Sequence, residues 1–281
     1  MLVNLNDMLK DAQNKHYAVG LFNTTDTDAI EAAISAAEQL RSPIILGTAE
    51  VLLCHAELQL IGPAMVNMAK RASVPVAIHF DHGLTYEKCM EALEIGFSSV
   101  MYDCSTASYE DNVRAVAEMA AIAHRKGATI EGELGHVGDN VGSHEGDSHL
   151  EDPSKFYTDP RMAKDFVEKT NIDALAIAIG TAHGTYACTP KLDVERLRAI
   201  RSTISTPLVL HGGSGLAEAD LKECIQSGIT KVNIFTDIYA GGAQALKAFS
   251  GDYHESRAQK VAAMRAVIRE KICLFGSAGQ A

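Results

Sequence analysis

The chain reads as an α/β protein, a single closed barrel of eight parallel strand–helix units, on three observations. Short apolar runs that suit buried parallel strands recur along it. Helical patterns separate these runs, so strand and helix alternate throughout. The length of 281 residues suits the roughly 250 typical of a (β/α)8, or TIM, barrel. A doubly wound open sheet is the structural alternative.

In chain order, strands are expected at 18–23, 43–48, 74–81, 99–103, 129–135, 174–180, 207–212 and 231–236. Helical patterns lie between them, among others at 26–40, 110–126, 161–169 and 193–202. Asp26 reads as a side-chain cap, and Asp159-Pro160 as a helix start with proline in the first turn. A last helical segment, 255–271, carries a basic-rich face and is expected to pack on a neighbouring subunit. The longest irregular stretch, 136–159, is polar and glycine-rich. Loops of that length are often lids, so it is expected to be a mobile loop overhanging the mouth after the fifth strand. No linker composition divides residues 1–281, so one domain is expected.

A net charge of −11 gives no overall basic footprint for nucleic acid. A phosphorylated substrate would need locally placed donors. None of the six cysteines forms a CxxC pair, and a chain this long needs no disulfide staples, so reduced thiols are expected. Met1–Asp7 holds no basic segment leading into a long apolar run, and no stretch of about 20 apolar residues suggests a membrane span. The expectation is a cytoplasmic protein with no membrane partner.

Three histidines carry most of the chemical information. His82, His183 and His211 each end an apolar run, and each is followed at once by glycine. Residues at the C-terminal ends of parallel barrel strands face the ligand side. Three imidazoles converging there would make an open zinc site with a position left for substrate. Such a metal acts as a Lewis acid on a carbonyl. Asp81 precedes His82 and could exchange a proton with a substrate hydroxyl or orient a ligand. His79 shares the side of the strand with Asp81 but sits lower, and reads as a packed core histidine. Glu131 and Glu133, at i and i+2, share one strand face and need a cation or hydrogen-bond donors when buried. Asp103 occupies a similar strand end. A second cation position or a network with lysines or backbone would each satisfy this acidic group. Gly212-Gly213-Ser214-Gly215 offers backbone N–H groups to a phosphate. Asn233 and Thr236 can add donors, after the seventh and eighth strands where barrels often bind phosphate.

On these residues the chain resembles the class II, zinc-dependent fructose-bisphosphate/tagatose-bisphosphate aldolases, from about Asn4 to Gly276. The resemblance rests on Ala18-Val19-Gly20-Leu21-Phe22-Asn23, His79-Phe80-Asp81-His82, Glu131-Gly132-Glu133-Leu134-Gly135, the run from Ala176 to Gly184, the run from Pro207 to Gly215, and Lys231-Val232-Asn233-Ile234. The second histidine motif is most similar to the tagatose-bisphosphate subgroup. The resemblance implies zinc on His82, His183 and His211, and Asp81 as proton donor and acceptor at the C4 oxygen. It implies that Gly184, Gly212, Gly213, Ser214, Asn233 and Thr236 hold the dihydroxyacetone phosphate half, with Asn23 near the substrate hydroxyls. Asp103 and Glu133 match an alternative metal site, and a monovalent cation, Na+ or K+, would assist at the phosphate. The implied reaction is reversible aldol cleavage of a phosphorylated ketose. Asp81 takes the C4 hydroxyl proton, the C3–C4 bond breaks, and a loop acid protonates the enediolate. A homodimer or homotetramer is implied.

Three departures bear on substrate. The family's loop glutamate, eight residues after Glu133, is Val141 here, with Asp139, Glu145 and Asp147 nearby as substitutes. The family's Asp-Pro-Arg, whose arginine helps bind a distal phosphate, is Asp252-Tyr253-His254, with Arg257 a candidate to compensate. Phe235 stands where a small or acidic residue is usual. The expectation is that the ketose 1-phosphate end is recognised as in the family and the other end differs. Two other readings are a non-catalytic barrel subunit stabilising a partner aldolase, which need not keep three histidines plus Asp81, and a metal-dependent hydrolase. The hydrolase would more typically show a His-x-His pair on the first strand, which here ends in Phe22-Asn23.

Overall fold

The computed structural model describes residues 1–138 and 153–281. After a two-residue strand β1 (Leu2–Val3) and helix α1 (Leu5–Lys15), eight strand–helix units follow. The strands are β2 (Val19–Asn23), β3 (Ile44–Ala49), β4 (Val76–Gly83), β5 (Ser99–Tyr102), β6 (Thr129–Leu134), β7 (Ala174–Ile177), β8 (Leu208–Leu210) and β9 (Ile229–Ile234). The helices are α2 (Thr27–Leu40), α3 (Leu58–Arg71), α4 (Tyr86–Ile95), α5 (Tyr109–Arg125), α6 (Pro160–Thr170), α7 (Val194–Thr203), α8 (Glu218–Gln226), α9 (Thr236–Ala248) and α10 (Tyr253–Leu274). Each of β2 to β9 pairs in parallel with the next, and β2 pairs with β9, so the sheet closes. The open-sheet alternative is excluded. The caps expected from sequence are present: Asp26 accepts from the Ala29 N–H, and Asp159 caps a helix with Pro160 in its first turn.

The N-terminal segment forms two elements not expected from sequence. β1 pairs with Val76 and Ala77 at the foot of β4, on the side that β5 leaves open until its Ser99 meets His79. α1 repeats apolar residues at Leu5, Met8, Leu9 and Ala12, the spacing of one helix face. That face packs on Val19, Leu21, Ile45, Ala77, Ala174, Ala176 and Val209, which line the lower barrel. Burying such a set at about 25 cal/mol per Å2 is a major stabilising term. The helix plugs one end and leaves function to the other.

Strand alternation then grades the interior. Side chains two apart share a face, and the inward series climbs from apolar to polar: Val19, Leu21, Asn23 on β2; Ala77, His79, Asp81 on β4; Val209, His211 on β8 and just past it. The outward series packs into a second, larger apolar layer beneath the helices. α10 does not present a free basic face over its first turns. Arg257 reaches Asp28 at 2.8 Å and Glu31 at 2.6 Å, and Lys260 reaches Asp26 and Asp28 at 3.3 and 2.5 Å, all on or capping α2 of the same chain.

Candidate metal centre

Asp81 and His82 are adjacent, so a regular strand would send them to opposite faces. The chain resolves this with a defect. His82 has φ of 42°, and the β4–β5 register shifts between Phe80 and Gly83. A left-handed non-glycine residue costs about 1–2 kcal/mol. Here it turns His82 back inward beside Asp81, and a 2.7 Å contact from His82 Nδ1 to Asp103 Oδ2 holds it. His211 follows β8 directly, and His183 lies in the loop after β7 with its N–H donated to the Gly138 carbonyl at 2.9 Å. The three rings converge: centroids are 4.9 Å apart for His82 and His183, 4.5 Å for His82 and His211, and 6.0 Å for His183 and His211. One nitrogen from each lies within 4.8 Å of the others.

The donor set suits a divalent cation. His82 Nε2 is buried with no hydrogen-bond partner, while Nδ1 is committed to Asp103. That is the carboxylate–histidine arrangement that fixes a metal-binding tautomer. Glu131 takes His211 Nε2 at 2.8 Å, which leaves Nδ1 as the candidate ligand atom, with Glu133 at 3.1 Å from it. The pocket is also rich in carboxylates: Asp81, Glu131 and Glu133 are buried, and Asp103 is nearly so. Burial opposes ionisation of Asp81 and of Asp103, yet His82 holds both carboxyls well below the usual range, with Lys231 adding to the effect on Asp81. Burial would push His82 down, but Asp81 and Asp103 hold it up at about 10. A proton is drawn to the place where a metal would sit.

Among the described residues two further groups could hold a cation. His82, Asp103 and Glu133 overlap the triad, so the two acidic residues expected at an alternative position are at hand. The other, His79, Asp81 and Glu131, already has its cation: Lys231 Nζ lies 2.8 Å from Glu131. His79 is a buried core histidine, its Nδ1 at 2.8 Å from Ser99 Oγ, and burial, followed by Lys231, pushes it down to about 4.

Asp81 is gripped from two sides. Asn23 Nδ2 donates to it at 2.8 Å, and Asn233 Nδ2 donates at 3.0 and 3.1 Å. Asn233, expected near the phosphate, thus turns its amide to Asp81. The Gly213 N–H is bonded to the Asn233 carbonyl at 3.0 Å, so it too serves the protein. Gly213 matters instead for closeness, since a Cβ there would lie 2.5 Å from Val232 Cγ1. Ser214 Oγ accepts from the Phe235 N–H at 3.1 Å. Gly184 and Gly212 both have positive φ, and Thr236 opens α9, where N–H groups lack helical partners. Phe235 packs with Ala49, Leu52, Val51 and Tyr239 as an apolar wall. Asp139, Val141, Glu145 and Asp147 lie outside the described residues.

Two contributors were missed from sequence. The Tyr186 hydroxyl accepts from the Ala182 N–H and donates to the Gly212 carbonyl, both at 2.9 Å, and so ties together the loops bearing His183 and His211. Nothing in the motif signals this bond. Lys231 was signalled, as a lysine two residues before Asn233 in a strand whose six residues are all buried. All six cysteines are free, and among the described residues none joins a candidate cation group.

The fold and this cluster define a (β/α)8 barrel with a candidate metal centre at its mouth. The sequence model of the family described as fructose-bisphosphate aldolase class-II matches residues 3–280, and the chain belongs to that family. It is 38% identical over 284 residues, 100% of each chain, to the uncharacterized protein YdjI of Escherichia coli (strain K12). The crystal structure of the YdjI aldolase from that organism superposes with a TM-score of 0.90 at 35% identity, covering 100% of both chains. A fructose-bisphosphate aldolase from Campylobacter jejuni gives a TM-score of 0.81 over 100% of this chain and 97% of that one; at 21% identity this likeness carries the fold alone. Family membership supports aldolase, and hence lyase, activity. Among the described residues no helix is long and apolar enough to cross a membrane.

Proposed function

We propose that this chain is a zinc-dependent aldolase that reversibly cleaves a ketose 1-phosphate, or a related tagatose- or fructose-type bisphosphate, to dihydroxyacetone phosphate and an aldehyde. The observation that carries the reading is the convergence of His82, His183 and His211 beside a carboxylate held by two amides. His82, His183 and His211 would hold zinc, which supplies a Lewis acid for the substrate carbonyl. Asp81 stays ionised at neutral pH and would take the C4 hydroxyl proton as the C3–C4 bond breaks. Asn23 and Asn233 keep both its oxygens oriented. Gly184, Gly212, Ser214 and Thr236 would bind the phosphate, with Gly213 shaping the turn and a monovalent cation assisting there. Asp103 and Glu133 would offer an alternative metal position.

The apolar Phe235 in place of a small or acidic residue, and the engagement of Arg257 by Asp28 and Glu31, support an aldehyde other than glyceraldehyde 3-phosphate. The assembly would be a homodimer or homotetramer acting in the cytoplasm. The test is release of dihydroxyacetone phosphate from a panel of ketose 1-phosphates and 1,6-bisphosphates, before and after chelation. Chelator-sensitive release is expected, with ketose 1-phosphates cleaved at least as well as bisphosphates. A large preference for a bisphosphate would refute the reading of the distal end. No release by zinc-loaded protein would refute the activity.

A further inference from the structure

Lys231 is fully buried inside the barrel, and the reaction proposed above gives it no task. Its ammonium touches Glu131 Oε2 at 2.8 Å and Asn233 Oδ1 at 2.8 Å. A lysine can only donate hydrogen bonds, whereas an amide has one accepting and one donating end. The lysine therefore fixes which way the Asn233 amide faces. With Oδ1 turned to Lys231, Nδ2 must turn to Asp81, and it lies 3.0 and 3.1 Å from the two carboxylate oxygens. The reverse orientation would set an amide oxygen against a buried carboxylate.

We propose that Lys231 is a positioning residue: it locks the Asn233 amide so that Asp81 is presented to the substrate C4 hydroxyl. This rests on the reading of Asp81 given above. The same ammonium neutralises Glu131, which holds His211, so the two tasks must be separated.

Two reactions separate them. Cleavage needs the proton taken from the C4 oxygen. Exchange of dihydroxyacetone phosphate with D2O does not: a proton leaves the hydroxymethyl carbon next to the carbonyl and a deuteron returns, with no C4 present. Lys231→Met alone takes from the buried Glu131 its ammonium partner and leaves it only histidine contacts, which threatens the fold. The comparison is therefore Glu131→Gln against Glu131→Gln/Lys231→Met, both zinc-loaded. Adding the lysine substitution is expected to lower kcat for cleavage about 100-fold, the lower range for losing an oriented general base. KM, zinc content and deuterium exchange are expected to hold within about threefold, a change too small to count as loss of a catalytic interaction. Should the double variant not fold, Glu131→Gln/Lys231→Gln, whose amide can present either its accepting or its donating end to Asn233 where the ammonium could only donate, is expected to give a smaller split in the same direction. Cleavage and exchange falling together with zinc retained would reduce Lys231 to a structural role and overturn the proposal, as would no fall in either. Asp81→Ala is the reference. If it does not split the two reactions, the reading of Asp81 fails instead, and a wild-type protein with neither reaction would refute the aldolase activity itself.

Discussion

Replacing Asp103 by alanine tests how the site prepares for metal. Asp103 Oδ2 lies 2.7 Å from His82 Nδ1, and Oδ1 is anchored by the Ser105 N–H at 3.0 Å and hydroxyl at 2.7 Å. The carboxylate is thus held in place and in turn holds the imidazole, keeping Nε2 toward His183 and His211. Loss of such a partner typically costs 10–100-fold in metal affinity, or about 1.4–2.7 kcal/mol. A second effect works the other way. Asp103 also helps hold the His82 pKa up at about 10, so a proton competes with the metal. Removing Asp103 weakens that competitor, which sets the expected loss nearer tenfold. Competition with a chromogenic zinc chelator at neutral pH measures it. At fixed free zinc well above the dissociation constant, a tenfold loss also lowers the metal's stabilisation by about 1.4 kcal/mol. Asp103→Asn, which keeps an acceptor without the charge, is expected to lose less. An Asp103→Ala protein whose zinc affinity stays within about threefold of wild type, well short of the usual range, would refute the reasoning.

Asp81→Ala is expected to keep zinc and lose cleavage by at least about 100-fold, checked by metal analysis and steady-state kinetics; near-normal cleavage would remove Asp81 from the chemistry. Metal-free protein is expected to lose stability from about pH 6.5 downward. His79 stays neutral to about 4 in the fold while the unfolded chain binds a proton from 6.5, and the contribution of Glu131, complete above 4.5, disappears toward about 2. Urea midpoints that stay flat from pH 7 to 4 would contradict this. Gly212→Ala sets a Cβ 2.4 Å from the Ala182 carbonyl at φ of 66°. The backbone alone costs about 1–2 kcal/mol, so a drop of at least that size in unfolding free energy is expected. Arg257→Ala breaks only partly exposed ion pairs, worth under about 1 kcal/mol, and is expected to leave KM for a ketose 1-phosphate unchanged.

The eight barrel strands were legible because strands buried on both faces must be apolar on both, and the histidines marked their ends. The route by which His82 joins Asp81 was not. Alternation sends the two apart, and no residue type announces a left-handed histidine at a register shift. The plug α1 had a readable apolar face at Leu5, Met8, Leu9 and Ala12, but what it covers depends on the barrel having closed. The glycine-rich turn after His211 was legible as a turn, whereas the use of the Gly213 N–H by Asn233 is a tertiary fact. Glu131 and Glu133 were rightly read as needing partners. Lys231, two residues before Asn233 and on the same face, was available in the sequence as one of them.

The central claim is a zinc ion held by His82, His183 and His211 on which activity depends. The most direct measurement is metal content together with cleavage rate in wild type and His211→Ala as zinc is removed and returned. The account predicts one zinc per wild-type chain, activity that falls and recovers in proportion to it, and a folded His211→Ala protein that no longer retains zinc. A His211→Ala protein that binds zinc as tightly as wild type, or full activity in rigorously metal-free wild type, would contradict it.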